Sequence, residues 1–205
     1  SRRISRPTYP QLNPYINLID NQTYETGNIN LNPEKANKLD IAYSFAGGKV
    51  VINGNAYFNY TQDYINQHAY IENDILIFTY VNDDYFLSTG IDHNFKFNLL
   101  KWFSLDIASN TYYTKSRGNF KGTETRNSGW VNNSNVSLNF KPVKGMNIQA
   151  QYFLTTPQYF PQFTTSRIHY CNIGVKQSFL KNSLTVSALL TDIFNTRRWD
   201  IHSIN

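Results

Sequence analysis

A period of two runs through most of this chain, and it constrains the fold more than any other feature. Leu39, Ile41, Tyr43 and Phe45 alternate with Lys38, Asp40, Ala42 and Ser44. Ile52, Ala56, Phe58 and Tyr60 alternate with Asn53, Asn55, Tyr57 and Asn59. The same rhythm returns over 103–108, 135–140, 146–154, 172–179 and 184–190. Side chains of a strand point alternately to its two faces, so each run predicts a strand with one apolar and one polar face. The runs have the length of a tilted strand that crosses a bilayer, about 9–11 residues.

The connections add a second constraint. Tight turns are expected at 46–49, 100–102, 142–145 and 180–183, and longer polar loops at about 7–36, 63–85, 117–128 and 157–166. Short and long connections therefore alternate. Tight turns require antiparallel neighbours, and in an antiparallel meander alternate turns fall at the same end. All short turns then lie at one end and all long loops at the other, as in bacterial outer-membrane barrels. Aromatic placement fits the same picture. Phe45, Trp102, Phe103 and Phe140 flank short turns, while Tyr60, Tyr64, Tyr112 and Tyr113 lie toward the long loops.

Composition supports an all-β chain. Aromatics are 16% and charged residues only 16%, with 15 Tyr and 14 Phe. Polarity is carried by Asn, Ser, Thr and Tyr, which serve helices poorly and strands or turns well. The net charge of +5 comes with no basic arm, and nucleic acid is not an expected partner. A single cysteine, Cys171, allows no internal disulfide and reads as a small apolar strand residue. A helical turn is conceivable only around Asn32–Lys35. The expected architecture is one antiparallel up-and-down meander of about nine or ten strands over residues 1–205.

The first stretch reads Ser1-Arg2-Arg3-Ile4-Ser5-Arg6-Pro7, then Leu12-Asn13-Pro14, then Gly27-Asn28-Ile29-Asn30-Leu31-Asn32-Pro33-Glu34 before a strand. Near the end stands Thr191-Asp192-Ile193-Phe194-Asn195-Thr196. These elements resemble the C-terminal barrel region of TonB-dependent outer-membrane receptors, especially the Bacteroidetes type. Ile29 stands where that pattern has proline. The resemblance implies a segment of a transmembrane barrel of about 22 strands. It implies import of an iron chelate, cobalamin, a glycan or a peptide, with an N-terminal plug domain of the parent chain inside. TonB would act through the parent chain, outer-membrane lipid would surround the wall, and a surface lipoprotein is an open partner. No plug is present in residues 1–205. The family element is read as structural: Gly27 supplies an unusual dihedral, and Pro33 stops pairing.

No nucleophile elbow, zinc-protease helix or P-loop occurs, so no catalytic residue and no cofactor is expected. His68, His93, His169 and His202 have no metal-ligand spacing. Glu72-Asn73-Asp74 and Asn82-Asp83-Asp84 are expected on an outer loop and show no EF-hand pattern. Asp106 falls on the polar side of its strand. Ligand contacts would come from loop aromatics and terminal arginines: Tyr9, Tyr15, Tyr24, Tyr159, Phe160, Arg197 and Arg198. Two alternatives stay open: a soluble all-β carbohydrate-binding module, and a complete small outer-membrane barrel.

Overall fold

The computed structural model describes residues 1–160 and 162–203. In chain order the elements are β1 (Arg2–Ser5), α1 (Tyr9–Leu12), β2 (Asn17–Asp20), β3 (Thr23–Glu25), β4 (Glu34–Gly47), β5 (Val50–Glu72) and β6 (Ile75–Leu100). They continue as β7 (Phe103–Phe120), β8 (Thr123–Phe140), β9 (Met146–Thr155), β10 (Phe163–Thr165), β11 (Ile168–Phe179), β12 (Leu184–Leu190) and β13 (Ile201–Ser203). A 3-10 turn at Leu180–Asn182 joins β11 to β12.

The wall is one antiparallel meander in the order β1-β4-β5-β6-β7-β8-β9-β11-β12. The sheet is open, with β1 and β12 at its two edges. Every neighbour in this path pairs antiparallel. The expected strand class, direction and count are thus present.

Pairing register assigns each side chain to a face. One row reads Phe45, Ile52, Phe95, Ile107, Val136, Tyr152, Cys171 across seven strands. The adjacent row on the other face reads Ser44, Asn53, Asn94, Ala108, Asn135, Phe153, Tyr170. The first face is mainly aliphatic and aromatic, and the second is rich in amides. The apolar face is uncovered: Leu39, Ile41 and Phe45 are 60%, 62% and 58% exposed. Among the described residues only Leu31 and Val131 are buried apolar side chains. A water-soluble sandwich would put that face in a shared core.

The strand ends are staggered. Val50 faces Phe97, yet β6 runs on to Leu100. Phe140 faces Ile148, yet β9 begins at Met146. Met146 faces Gln177, yet β11 runs on to Phe179. Each short turn therefore steps down by about two residues from the last. Two residues at about 3.3 Å against two strand spacings of about 4.8 Å give a tilt of about 35°. That lies in the range that closed barrels need.

Three expectations need correction. Residues 63–85 and 117–128 are not loops. They are extensions of β5, β6, β7 and β8, closed by two-residue turns at Asn73-Asp74 and Lys121-Gly122. All four turn residues have positive φ, from 49° to 82°, which is the twist that tight hairpins require. The two ends of the sheet still differ, by hairpin height at β5–β6 and β7–β8 and by the expected long connections between β1 and β4 and between β9 and β11. The helical turn is Tyr9–Leu12, not Asn32–Lys35, where Glu34 and Lys35 already belong to β4. Thr8 and Gln11 cap it reciprocally, with Thr8 N donating to Gln11 Oε1 at 2.8 Å. Finally, Gly27 is needed for space and not for a positive φ. A Cβ there would lie 2.5 Å from the Asn13 carbonyl oxygen and 2.7 Å from that of Gln11. Pro33 does stand directly before β4.

Candidate functional site: the inner wall and the long-hairpin rim

The amide-rich face carries the candidate site. On it Tyr57 Oη donates to Asn110 Oδ1 at 3.3 Å, and the Asn110 amide donates to Asp92. Below them Asn139 donates to Asp106 at 2.8 Å, with Lys96 3.6 Å from the same carboxylate. Gln151 donates to Ser137 Oγ at 3.4 Å. Asp106 is therefore held by Asn139 and Lys96 on the polar side of its strand. Phe153 and Tyr170 stack at 4.7 Å and 15°, directly opposite each other on β9 and β11. A hollow of about 530 Å³ lies between Asp92, Asn110, Asn133, Asn135, Phe153 and Tyr170. It offers amide donors and acceptors beside an aromatic platform, a combination that holds a polar ligand in water.

The rim above is built from the long hairpins. His68 Nε2 and Asp83 Oδ1 are 2.9 Å apart, and both residues are fully buried. The Asp83 carboxylate sits against Gly118, where any Cβ would collide with it. Phe120 covers His68 at 5.0 Å and Tyr70 at 5.6 Å, and Lys121 Nζ lies 3.3 Å from the Tyr70 ring centre. This corrects the expectation that Asp83 lies on an exposed acidic loop. His68 Nδ1 and Asp83 Oδ2 lack a hydrogen-bond partner. Among the described residues no cluster of three or more metal-ligating side chains occurs.

On the opposite face of the β5–β6 hairpin a strap from residues 25–34 is tied down. Asn32 N donates to Asn82 Oδ1 at 2.7 Å, and Asn82 Nδ2 donates to Asn32 O at 3.0 Å. Gln67 and Tyr80 both donate to Glu25 Oε1, at 3.0 and 3.2 Å. β3 adds to the free edge of β6 in parallel, with Tyr24 opposite Ile77. At the tip of β7–β8, Arg126 and Arg117 both hold Glu124, at 2.8 and 2.6 Å. The hydrogen bond from Arg126, joined by that from Arg117, keeps the Glu124 carboxyl below the ordinary carboxylate range.

The seven sequence-derived ligand candidates fall into two groups. Tyr9 and Tyr15 are 77% and 80% exposed on the segment between β1 and β2. Tyr24 is half-buried in β3 opposite Leu18. On the other side, Tyr159 lies directly over Gly129, where a Cβ would have no room. Phe160 stacks on Phe163 at 4.5 Å, and Arg197 lies over the Tyr170 ring at 5.0 Å. Arg198 is exposed. Arg197 follows a turn in which Asp192 Oδ1 accepts from Thr196 N at 2.9 Å and Oδ2 from Arg197 N at 3.1 Å. The backbone donor of Thr196 is the main cause that lowers the Asp192 pKa. Sequence reasoning missed the Tyr57–Asn110–Asp92 chain and the Phe153–Tyr170 stack. The polar half of each alternating run was the signal that could have found them.

Comparison with known proteins agrees with this architecture. A family model described as the outer membrane protein beta-barrel family matches residues 1–205. No curated protein matches the chain. The family places the chain in the outer membrane of a Gram-negative bacterium, with the apolar face toward lipid. An uncovered apolar face, a strand tilt suited to closure and a family match along the whole length agree: the chain belongs to the outer membrane protein beta-barrel family.

Proposed function

We propose that the chain forms part of the wall of a TonB-dependent receptor that imports a nutrient: an iron chelate, cobalamin, a glycan or a peptide. The observation that carries this reading is the amide-lined inner hollow beneath tall, interlocked hairpins. A purely structural barrel has no use for an aromatic stack ringed by amides on its inner face. In this reading the chain performs no chemistry. Tyr159, Phe160 and Arg197 approach the ligand from the β9–β11 side, Tyr9, Tyr15 and Tyr24 from the opposite side, and Arg198 assists as an exposed cation. The plug domain of the parent chain fills the lumen, TonB supplies the energy, and a surface lipoprotein can cap the hairpins. The test is uptake of isotope-labelled candidates by cells with and without the gene, each with and without TonB. Uptake that needs both is expected. Uptake that needs the gene but is indifferent to TonB would overturn the transport mechanism.

A further inference from the structure

The lipid-facing surface is not uniform. A row on it reads Gly54, His93, Ser109, Ser134 across β5 to β8. Tyr43 crosses Gly54, which has no side chain to obstruct it, and its Oη lies 3.2 Å from His93 Nδ1. Asn132 Nδ2 donates to Ser109 Oγ at 3.0 Å and to Thr111 Oγ1 at 2.7 Å, while Ser134 Oγ donates to Asn132 Oδ1 at 2.7 Å. Polar groups in hydrocarbon must be satisfied internally, and these largely are. Thr111 accepts from Asn132, so its own hydroxyl hydrogen stays available to a further acceptor.

Beside this polar stripe lies a groove of about 630 Å³. Small residues, Ala56, Thr89 and Thr111, form its floor, and Leu39, Phe58 and Trp130 stand around them. Its depth in the membrane follows from the tilt. From Phe103 at the short-turn end to Tyr113, ten residue steps at about 3.3 Å and about 35° cover about 27 Å, close to the height of a barrel's apolar band. Tyr113 faces Trp130, so both mark the upper interface. His93 lies near half height. From the His93–Ser109 row to the Tyr113–Trp130 row the groove therefore spans four steps, about 11 Å, most of one leaflet. One step above Tyr113 on the same face stands Lys115, opposite Leu87 and Ser128. It is exposed, at the level of lipid headgroups. The nearby Arg117 and Arg126 are already held by Glu124.

We infer that this groove is a binding site for one anionic, ester-linked lipid of the outer leaflet. The acyl chain lies between Leu39, Phe58 and Trp130. Thr111 donates to the ester carbonyl, and Lys115 meets the phosphate. The groove gives the apolar fit, the hydroxyl lies at ester depth, and the cation lies one step above the interface. These three features line up along one path, and each matches a different part of the same molecule.

The test is native mass spectrometry of the full chain purified from outer membranes, delipidated, and offered phosphatidylglycerol or phosphatidylcholine. Wild type is expected to keep one phosphatidylglycerol, roughly tenfold in preference to phosphatidylcholine. Ala56→Phe fills the groove and abolishes retention of both. Lys115→Gln keeps acyl binding but brings the two lipids to parity. Ala150→Phe, on the same face of β9 opposite Leu138 and Ile173, leaves binding unchanged and controls for folding and added bulk. Equal retention by Ala56→Phe and Ala150→Phe would overturn the site. So would a wild type without headgroup preference, or a second copy of the chain bound in place of lipid. None of these readouts depends on nutrient import, so the transport reading can fail independently.

Discussion

The lower halves of β5 and β6 and their upper halves are the same two strands in two solvents. Below Tyr60 and Leu87 their outward side chains, Ile52, Phe58, Ile91 and Phe95, face lipid, and the register alone holds them in place. Above Asp63 both faces of the hairpin are gripped by protein. His68, Asp83 and Tyr70 meet the β7–β8 tip on one face, and Gln67, Tyr80 and Asn82 hold the 25–34 strap on the other. In the band the surroundings supply the apolar environment, so side chains need only be apolar. In the rim water would compete for every polar group, so specific partners and excluded solvent are needed. Stability should therefore be set by side-chain class in the first region and by side-chain identity in the second.

The largest effect should come from breaking class in the band. Ile107→Arg, near mid-depth on the apolar face of β7, is expected to cost about 2–4 kcal/mol. Ala108→Arg, one residue on and on the amide-rich face, should be close to neutral. Denaturant unfolding in lipid vesicles measures both, and equal costs would mean that the two faces share one environment. Next comes identity in the rim. Asp83→Ala leaves buried His68 without its partner and should cost about 1–3 kcal/mol. The loss should appear as faster hydrogen exchange over 64–86 and 114–126, with 103–110 and 133–140 unchanged. Exchange that rises across the whole wall would show that rim and band unfold as one unit.

A smaller effect tests a band contact that behaves like the rim. Tyr43→Ala removes the ring that covers Gly54 and the bond to His93, a loss of about 0.2–1 kcal/mol. Gly54→Ala should be destabilising with Tyr43 present and less so without it, the remainder coming from the Asp92 carbonyl oxygen that a Cβ would meet at 2.5 Å, and a double-mutant cycle by thermal unfolding would separate the two. The smallest effect is a pH dependence at the β7–β8 tip. The Glu124 pKa is lowered in the folded chain, so its tie to Arg126 and Arg117 is complete above the ordinary carboxylate value of 4.5. The tie should weaken only as pH falls through the lower folded value. Protease cleavage at Lys121 should rise in that acidic window and not before.

The band was legible because one solvent imposes one rule. Residues 39–45 in β4 and 135–140 in β8 obey it without exception. The lower part of β6 was implied only by the turns around it and showed no alternating run of its own, because Thr89 and His93 occupy apolar-face positions and blur its alternation. The rim was illegible for the same reason on a larger scale. Above Asp63 neither face meets lipid, so alternation fades and only polar residues remain visible. A polar stretch such as 63–85 then resembles a loop. His68 and Asp83 stand 15 residues apart and meet only because the turn at Asn73-Asp74 sets the register. Of the candidate ligand residues, Tyr159, Phe160 and Arg197 were visible as loop aromatics and a terminal cation. That they approach the β9–β11 side is a property of tertiary placement, which no local pattern encodes.

The tall β5–β6 hairpin also bears on how the wall is assembled. Its upper part carries Asn66, Gln67, His68, Glu72, Asn73, Asp74, Asn82 and Asp83, and the short turns mark the opposite side of the bilayer. Every one of these groups has to cross the hydrocarbon layer before it can reach its final position. While crossing, His68 and Asp83 have each other, but Gln67, Tyr80 and Asn82 do not yet have the strap. The slow step of insertion should therefore be passage of this hairpin, and closure of the strap over it should be the event that makes insertion irreversible.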